Sequence, residues 1–588
     1  KTDICHFTLS LLIFIQGIME KKKIVIIGGG TAGASALAFL QKKLGHICDI
    51  EMIASKEIPI VGVGEATVGN INVFLEMCGL DPEKTCLGDA RGSIKFAVHC
   101  KDWLREDHSY FTPIGLFAME YHDMVSFNRP VKEYWESWCG LKLALAGKSP
   151  FLKQEHWDTP LPKMWREYAY NIDAGLLGEA LIKHGKEIGA KVIDKKIKEI
   201  KIINGDKIDY LVTEDGQRIE ADFFIDCSGF KRLVPNACGY KPKSWKSENP
   251  NDRAWATRID YIDKDSELPY LSCVECQTME AGWRWQIGLR DRIGTGYVFS
   301  TDYISEEDAL EEFKNSFEEG RVKDDDCKLI KFNTECYEKQ AGTNWITCGL
   351  SSGFVEPLES TSIFFMHNNL IAFLSLIKQN KLPQDVQMVS IGAWDTSQLD
   401  VNYFFMWNQE KIDMYNKYVH DTFDCTVKYV GAHYAFAQNN RSKYWLDWQS
   451  KRKQYIEHGS EVMNYKQQHL FFGRPAFSLL SAGNELGSEI DGWDLSKVWI
   501  TPRQEEAYKS GALANERDIL EDRTPKEYLQ ALRTILGRLT HRKWLNDVFC
   551  DYSYDLIDQY KWLDHVGELQ DSEIKESRQY IESITTMF

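Results

Sequence analysis

The chain has 588 residues, of which 43% are hydrophobic and 27% are charged, a balance typical of a soluble globular protein. Seventy basic residues against 87 acidic ones give a net charge of −17, which argues against a general nucleic-acid-binding surface because such surfaces need clustered positive charge. The length suffices for one large composite domain or for about two to four ordinary ones.

Fifteen cysteines are scattered along the chain at irregular spacings. This pattern favours reduced thiols in a cytoplasmic compartment over a disulfide scaffold. Cys273 and Cys276 form a single C-x-x-C pair with no second pair at zinc spacing, so we predict no metal site.

Residues 1–18 differ in character from the rest of the chain. The segment Leu9–Ile15 is apolar, but it is too short to span a bilayer, which takes about 20 residues, and no small-residue cleavage site comes after it. Met19 precedes the charged run Glu20–Lys23 and resembles a natural start. We therefore interpret residues 1–18 as an upstream extension, and we expect no membrane segment elsewhere and a cytoplasmic location.

The first predicted elements form a dinucleotide-binding unit. An apolar run, Ile24–Ile27, predicts a buried strand, and residues 34–40 predict a helix. Between them, residues 28–33 read G-x-G-x-x-G, in the strand-to-helix context that this motif requires. Glycines at these positions allow a tight turn, a close approach to a pyrophosphate and close helix–strand packing. The cofactor-binding residues predicted here are Gly28, Gly30, Thr31, Ala32 and Gly33.

The second predicted strand, Asp49–Ile53, lacks the usual acidic residue at its end. In this fold an acidic side chain at that point binds the cofactor ribose. Glu51 lies inside the strand, with a side-chain direction that the sequence leaves open. We predict that Ser55, just after the strand, takes the place of the acid.

Two later strand-to-glycine turns favour FAD over NAD. Residues 222–230 and 346–354 each contain a short apolar strand followed by a glycine, and they add Asp226, Gly229 and Gly349 to the predicted cofactor site. This layout resembles the FAD fold of the aromatic hydroxylases. Since no second G-x-G-x-x-G unit is present for a nicotinamide cofactor, we expect the electrons for a reduced flavin to come from another protein.

Four further segments are informative only as a set. They are Gly62-Val63-Gly64-Glu65-Ala66-Thr67, a predicted strand with Lys95 and Trp103 eight residues apart, Gly282-Trp283-Arg284-Trp285-Gln286-Ile287, and Glu356-Pro357-Leu358-Glu359-Ser360-Thr361. Together with the glycine turns they resemble the flavin-dependent halogenases of the tryptophan-halogenase family. The resemblance covers about residues 20 to 490.

The resemblance implies an α/β (α+β) fold. We expect an FAD-binding Rossmann-like domain of the aromatic-hydroxylase type over residues 19–440, with substrate-wall segments interleaved, and a helix-rich substrate or capping region over residues 441–588. Gly64, Glu65, Ala66 and Thr67 would also contact the cofactor.

The resemblance also implies roles for the site residues. Lys95 would be the essential lysine, Glu359 the catalytic glutamate, and Ser360 a catalytic and cofactor-binding link between the flavin and the substrate side. Backbone amides at Thr361 and Ser362 would bind the halide, as amide nests bind anions. The indoles of Trp283 and Trp285 alternate along one strand, so they face one side and would form a wall between flavin and substrate. Two positions depart from the family pattern: Ser362 replaces glycine and Gly288 replaces proline.

The activity implied is halogenation of electron-rich aromatic compounds by FADH2 and dioxygen. A flavin hydroperoxide would oxidise a halide ion to hypohalous acid, which Lys95 would either hydrogen-bond or convert to a haloamine. The implied partners are a separate NAD(P)H flavin reductase and a small aromatic substrate, and a homo-oligomer is compatible with the sequence.

Substrate and halide are expected to differ from those of tryptophan-specific members. Thr112 and Ile114 stand where those enzymes have His and Phe, and Pro475–Ser478 replaces a Tyr-Tyr pair. We expect a pocket for phenols or indoles other than free tryptophan. Within the family the chain resembles a marine cyanophage branch that uses iodide and bromide, which would place it in the cytoplasm of an infected host. The alternatives are an FAD-dependent aromatic hydroxylase and an inactive flavin-binding protein.

Overall fold

A computed structural model describes residues 21–58, 64–114, 139–153, 168–379, 407–464, 550–551 and 553–566, with a few single positions between 382 and 486. The extension predicted at residues 1–18, the segment at 475–483 and most of the predicted C-terminal region lie outside these ranges. No helix in the described ranges is both long and apolar enough to cross a bilayer.

The strands in chain order are β1 (Lys22–Ile27), β2 (Cys48–Ala54), β3 (Glu65–Ala66), β4 (Ser93–Lys95), β5 (Ala97–Lys101), β6 (Ser109–Pro113), β7 (Lys148–Leu152), β8 (Ala169–Ile172), β9 (Lys191–Asp194), β10 (Ile197–Ile203), β11 (Lys207–Thr213), β12 (Arg218–Ile219), β13 (Phe223–Asp226), β14 (Pro242–Ser244), β15 (Arg253–Ile259), β16 (Cys273–Met279), β17 (Gly282–Gly288), β18 (Ile293–Phe299), β19 (Lys328–Lys331), β20 (Glu335–Tyr337), β21 (Ala341–Gly342), β22 (Trp345–Thr347), β23 (Gly353–Phe354) and β24 (Ser553–Asp555).

The α-helices are α1 (Thr31–Leu44), α2 (Asn70–Cys78), α3 (Cys139–Leu145), α4 (Ala174–Glu187), α5 (Leu233–Ala237), α6 (Lys264–Tyr270), α7 (Glu306–Asn315), α8 (Thr361–Gln379), α9 (Gln409–Phe436), α10 (Lys443–Ser450), α11 (Arg452–Asn464) and α12 (Leu556–Val566).

The cofactor half of the fold is a six-stranded sheet in the order β21-β22-β13-β1-β2-β9. All of its pairings are parallel except β21 with β22. Ile24 and Ile26 pack into one core cluster, while Val25 and Ile27 pack into another on the opposite face. The apolar run of β1 is therefore buried on both faces, as predicted, because helices and a second sheet cover the two sides. The α/β fold with a Rossmann-type unit is confirmed.

A seven-stranded sheet, ordered β19-β15-β18-β17-β16-β5-β6, forms the second half. Its pairings are antiparallel except β16 with β5. A small antiparallel sheet, β3-β8-β4, carries both the 64–67 segment and Lys95.

The predicted strand through Lys95 and Trp103 is wrong as a single element. β4 ends at Lys95 in the small sheet, and β5 begins at Ala97 in the large one. The break falls at Phe96, whose amide donates to the Ser272 carbonyl and whose own carbonyl accepts from the Ile114 amide, 2.8 Å in each case. Changing sheets at this residue places Lys95 where the two sheets meet.

Candidate active site

The glycine turn after β1 has the shape that a dinucleotide needs. Gly28 has φ 108°, a left-handed conformation that favours glycine. A Cβ on Gly33 would lie 1.9 Å from the Gly28 carbonyl oxygen, while a Cβ on Gly30 would meet no atom within 4 Å. The open space at Gly30 adjoins the N-terminus of α1, which has no side-chain cap. The turn therefore fits a pyrophosphate against free backbone amides.

The other two glycine turns converge on the same edge of the sheet. They come after β13 and β22, which lie beside β1 in parallel. A Cβ on Gly349 would lie 2.7 Å from the Ala32 Cβ, so the third turn touches the first. A Cβ on Gly28 would lie 2.5 Å from the Cys227 carbonyl oxygen, so the first turn also touches the second, and the three turns form one cradle that is compatible with the predicted FAD.

Asp226 and Glu51, the acidic residues that the sequence brought into question for this cradle, are engaged by the protein itself. Asp226 is buried and accepts hydrogen bonds from the amides of Ser228 and Val234, both at 2.8 Å, so it shapes the turn that contains Gly229. Glu51 lies 2.6 Å from the Lys23 ammonium. Direct contact of Asp226 or Ser55 with the cofactor stays a prediction.

The segment 64–67 contains β3, which pairs with β8 in the small sheet that also contains Lys95; Gly62 and Val63 are outside the described residues. Gly64 has φ 88°. Burial raises the pKa of the Glu65 carboxyl to about 7, and the charge of Asp173 adds to this effect. The Thr67 hydroxyl donates to the Tyr170 carbonyl at 2.9 Å, which fixes the segment to β8.

Lys95 is fully buried, and its ammonium group has two acceptors. Nζ donates to the Thr67 carbonyl at 3.0 Å and to the Ser360 hydroxyl at 2.8 Å. Burial lowers the pKa of Lys95 to about 8, although the nearby Glu359 carboxylate opposes the shift. The lysine therefore joins the segment 64–67 to the segment 356–361, while its role as a reactive amine stays a prediction.

Ser360 and Thr361 begin a new element beside the lysine. Ser360 has φ 57°, which is rare for a residue other than glycine. Thr361 starts α8, is fully buried, and its hydroxyl has no hydrogen-bond partner among the described residues. A helix N-terminus with an unpaired hydroxyl could hold an anion, so the geometry is compatible with the halide prediction for Thr361 and Ser362.

The tryptophan wall is anchored by Glu356, a residue to which the sequence assigned no role. Trp283 and Trp285 share one face of β17, with ring centroids 6.2 Å apart. The fully buried Glu356 carboxylate accepts from the Trp283 indole nitrogen at 3.0 Å. Its other donors are the amide of Asn249 at 3.0 Å, the amide of Asn251 at 2.5 Å and the hydroxyl of Tyr434.

Glu359 has a partner that was also missed. His433, on α9, is fully buried, and its Nε2 lies 2.9 Å from Oε1 of Glu359. Nothing in the sequence pattern around His433 indicated a contact with Glu359, 74 residues earlier in the chain. A third missed residue is Tyr560, whose hydroxyl accepts from the Ile94 amide at 2.6 Å, next to Lys95.

On the expected substrate side, Thr112 lies buried in β6, and its hydroxyl has no partner among the described residues. Ile114 lies close to Gly69: a Cβ added at Gly69 would be 3.6 Å from the Ile114 side chain. The segment Pro475–Ser478 is outside the described part of the chain.

Comparison with known proteins agrees with this geometry. Residues 23–484 match the family model described as tryptophan halogenase. Tryptophan 6-halogenase SttH of Streptomyces toxytricini is 30% identical over 455 residues, which cover 72% of this chain and 80% of SttH. Tryptophan 7-halogenase RebH of Lentzea aerocolonigenes is 27% identical over 452 residues, covering 72% of this chain and 78% of RebH.

A solved structure shows the same fold. BrvH, a flavin-dependent halogenase from Brevundimonas sp. BAL3, aligns with a TM-score of 0.71 and 22% identity over 92% of this chain and 100% of the BrvH chain. Since the family model spans well over half of the residues, this chain belongs to the tryptophan halogenase family of flavin-dependent enzymes.

Proposed function

We propose that the protein halogenates electron-rich aromatic compounds with FADH2, dioxygen and a halide, and that Lys95 delivers the halogen. The observation that carries this proposal is the position of Lys95: a fully buried amine held by the Thr67 carbonyl and by the hydroxyl of Ser360, next to Glu359. A buried amine with a lowered pKa is a typical reactive lysine.

The cofactor cradle supports FAD as the source of oxidising power. Reduced FAD, when bound, supplies with dioxygen the two-electron oxidant that turns a halide into hypohalous acid. The glycine turns at Gly28, Gly229 and Gly349 would hold it, with Thr67 and Glu65 on the side of Lys95. A separate NAD(P)H flavin reductase would provide the reduced cofactor.

The first turn of α8 supports a halide site. The free amides at Thr361 and Ser362 lie at the positive end of the helix dipole, and the Thr361 hydroxyl adds an unpaired donor. Ser362 adds a side chain where related enzymes have glycine, so the pocket would differ in shape. A preference for bromide or iodide over chloride is proposed from the resemblance of the sequence to the branch that uses these halides.

Lys95 would take halogen from hypohalous acid. Its neutral amine has two hydrogens, which match the two acceptors Thr67 and Ser360, and this leaves the lone pair free. A bond forms between Nζ and the halogen as the oxygen–halogen bond breaks, and the hydroxide leaves as water with the amine proton. The aromatic ring would then bond to the halogen as the nitrogen–halogen bond breaks, and Glu359 would accept the proton that the ring loses, which returns to Nζ and restores the amine.

The Trp283–Trp285 wall supports halogenation over direct hydroxylation. It stands on β17, held by Glu356, and would keep the substrate from meeting the oxidant at the flavin. SttH and RebH carry the names of tryptophan 6- and 7-halogenases. Thr112 and Ile114 replace the His and Phe of tryptophan-specific members, which supports a phenol or an indole other than free tryptophan as substrate.

A product assay tests the proposal. The protein is incubated with FAD, a flavin reductase, NADH and either chloride, bromide or iodide, together with phenols and indoles that include tryptophan. We expect product masses that gain halogen, most with bromide or iodide and least with tryptophan. A gain of oxygen in place of halogen would indicate a hydroxylase, and unchanged compounds with every halide would indicate an inactive flavoprotein.

A further inference from the structure

His433 is a buried histidine that the proposed mechanism does not use. It lies on α9, is fully buried, and its Nε2 is 2.9 Å from Oε1 of Glu359. The contact has the distance of an ion pair or hydrogen bond, but the ring N–H does not point straight at the oxygen. Catalytic hydrogen bonds are often poorly aligned before substrate binds and tighten in the complex.

The other ring nitrogen of His433 is paired with Tyr110. Nδ1 lies 3.0 Å from the Tyr110 hydroxyl, which is buried in β6. Burial raises the pKa of Tyr110 well above its usual value, so the hydroxyl keeps its hydrogen and can donate it. An Nδ1 that accepts this hydrogen leaves the proton of a neutral imidazole on Nε2, which faces Glu359.

The neighbours of His433 hold the ring in place. Tyr429 packs edge-on with ring centroids 5.0 Å apart, and Trp103 does so at 5.9 Å. The next residue along α9, Tyr434, donates to Glu356. Two consecutive side chains of α9 therefore contact the two glutamates of the Glu356–Glu359 segment.

We propose that Tyr110 and His433 are a positioning pair for Glu359, in which Tyr110 fixes the His433 tautomer and the Nε2 hydrogen holds the Glu359 carboxylate beside Lys95. The proposal rests on the proposed function, because it assigns a purpose to the orientation of Glu359. Neither residue needs to touch the substrate. Their arrangement resembles the outer hydrogen bonds that orient a catalytic group elsewhere in proteins.

The test compares His433→Ala, His433→Gln and Tyr110→Phe with Glu359→Gln. We expect His433→Ala to lower kcat for halogenated product by about tenfold or more, with little change in KM, while oxidation of reduced flavin stays within about twofold. His433→Gln keeps an N–H donor of similar reach and should recover most of kcat. Tyr110→Phe should fall between them, because the freed ring can adopt the other tautomer.

A double-variant comparison separates positioning from loss of packing. His433→Ala added to Glu359→Gln should cost little beyond Glu359→Gln alone, since both changes remove the same function. His367→Ala is the matched control: His367 is equally buried, stacks on Phe74 at 3.6 Å and lies on α8. It should leave the ratio of product to oxidised flavin unchanged.

Additive losses in kcat, an unchanged kcat in His433→Ala, or no recovery in His433→Gln would each overturn the proposal. The thermal unfolding midpoints of the same single and double variants provide a readout that does not need activity. If the unaltered protein yields no halogenated product, the proposed function fails. Non-additive midpoints would then still support the contact between His433 and Glu359, while additive midpoints would reject it.

Discussion

At the scale of the residue, the protonation state of Lys95 decides what it can do. The Thr67 carbonyl and the Ser360 hydroxyl accept two hydrogens from Nζ, and a neutral amine has two. The protonated form has a third hydrogen and no lone pair, so it could only hydrogen-bond hypohalous acid. The neutral form can bond to halogen, and burial brings this form within reach of ordinary pH.

The yield of halogenated product should therefore rise with pH. Burial lowers the pKa of Lys95 to about 8, so the amine is mostly protonated at pH 7 and mostly neutral at pH 9. We expect the ratio of halogenated product to oxidised flavin to increase through this interval with a midpoint near 8. Because product is divided by oxidised flavin, any pH dependence of flavin oxidation cancels from this ratio.

Lys95→Arg is the control for this profile because arginine stays charged throughout the interval. It should give a low ratio that does not change with pH. A ratio for the unaltered protein that falls between pH 7 and 9 would instead favour the ammonium form as a hydrogen-bond donor to hypohalous acid.

The sequence indicated the candidate site residues more readily than their partners. Lys95, Glu359 and Ser360 stand in recognisable segments, and the structure brings Lys95 and Ser360 together. The Thr67 carbonyl could not be predicted as a partner, because a backbone oxygen carries no residue signature. Glu356 was assigned no role, since only the folded chain brings its donors from β17, α9 and the loop before β15.

At the scale of the element, β17 and α9 enclose the Glu356–Glu359 segment. β17 contributes Trp283 to Glu356, and α9 contributes Tyr434 to Glu356 and His433 to Glu359. A buried carboxylate surrounded by donors is costly to disturb, because a lost partner leaves a polar group without water. Trp283 and Glu359, the proposed catalytic carboxylate, are therefore held by one network of contacts.

Glu356→Gln should weaken the contacts that hold Trp283 and the Glu356–Glu359 segment in place. The amide nitrogen of glutamine would face donors, and the indole of Trp283 could lose its acceptor. We expect a loss of about 2 kcal/mol in the free energy of unfolding, measured by chemical denaturation. The ratio of halogenated product to oxidised flavin should fall by about tenfold, since small displacements near a reacting centre are expensive.

Glu306→Gln is the matched control, because it makes the same substitution at a glutamate that does not belong to this network of contacts. Glu306 lies on α7 and pairs with Arg253 at 2.8 Å near the surface, where an ion pair contributes little. It should change neither measurement appreciably. If Glu356→Gln behaved like this control, the wall would not depend on Glu356.

Secondary-structure elements could be predicted where their formation depends on their own sequence pattern. The strand at residues 24–27, the glycine turn and the helix at residues 34–40 were predicted from their own pattern, and the structure confirms them with a strand over Lys22–Ile27 and a helix over Thr31–Leu44. The break at Phe96 was missed because its cause is tertiary: Phe96 pairs with Ser272 and Ile114, which no local pattern reveals.

At the scale of the whole molecule, the C-terminal elements are β24 and α12, and α12 contacts β4, the strand that ends at Lys95. β24 pairs with β7, and α12 packs against α6. Asp564 on α12 lies 2.9 Å from the Lys264 ammonium and 3.3 Å from the buried Arg290. These contacts hold Tyr560 against the Ile94 amide, one residue before Lys95.

Tyr560→Phe should therefore lower the turnover rate, although the hydrogen bond of Tyr560 is to the residue before Lys95. The change leaves the buried Ile94 amide without its acceptor, at a cost of about 1–3 kcal/mol in the free energy of unfolding. We expect kcat for halogenated product to fall by about three- to tenfold, with flavin affinity unchanged, measured by steady-state kinetics and flavin titration.

Tyr554→Phe is the matched control, since Tyr554 lies on β24 of the same segment and is exposed. It should behave like the unaltered protein. If the two variants had equal kinetics, the contact of α12 with β4 would not contribute to turnover.

The fold class was predictable from the sequence, but the contact of the C-terminal helix α12 with β4 was not. The strand-to-glycine turns indicated a flavin fold, because a strand followed by a glycine turn is a local pattern. Tyr560 is separated from Ile94 by 466 residues, and nothing in the helix pattern around it indicated that contact.

The most direct test of halogen delivery by Lys95 compares Lys95→Ala with Lys101→Ala in one assay that measures halogenated product and oxidised flavin together. Lys101 lies on the adjoining strand and pairs with Glu275 at 2.5 Å, so its removal should leave both quantities unchanged. For Lys95→Ala we expect halogenated product to disappear while reduced flavin is still oxidised at a rate within about twofold of the unaltered protein. Halogenated product from Lys95→Ala in undiminished ratio to oxidised flavin would contradict the delivery of halogen by this amine.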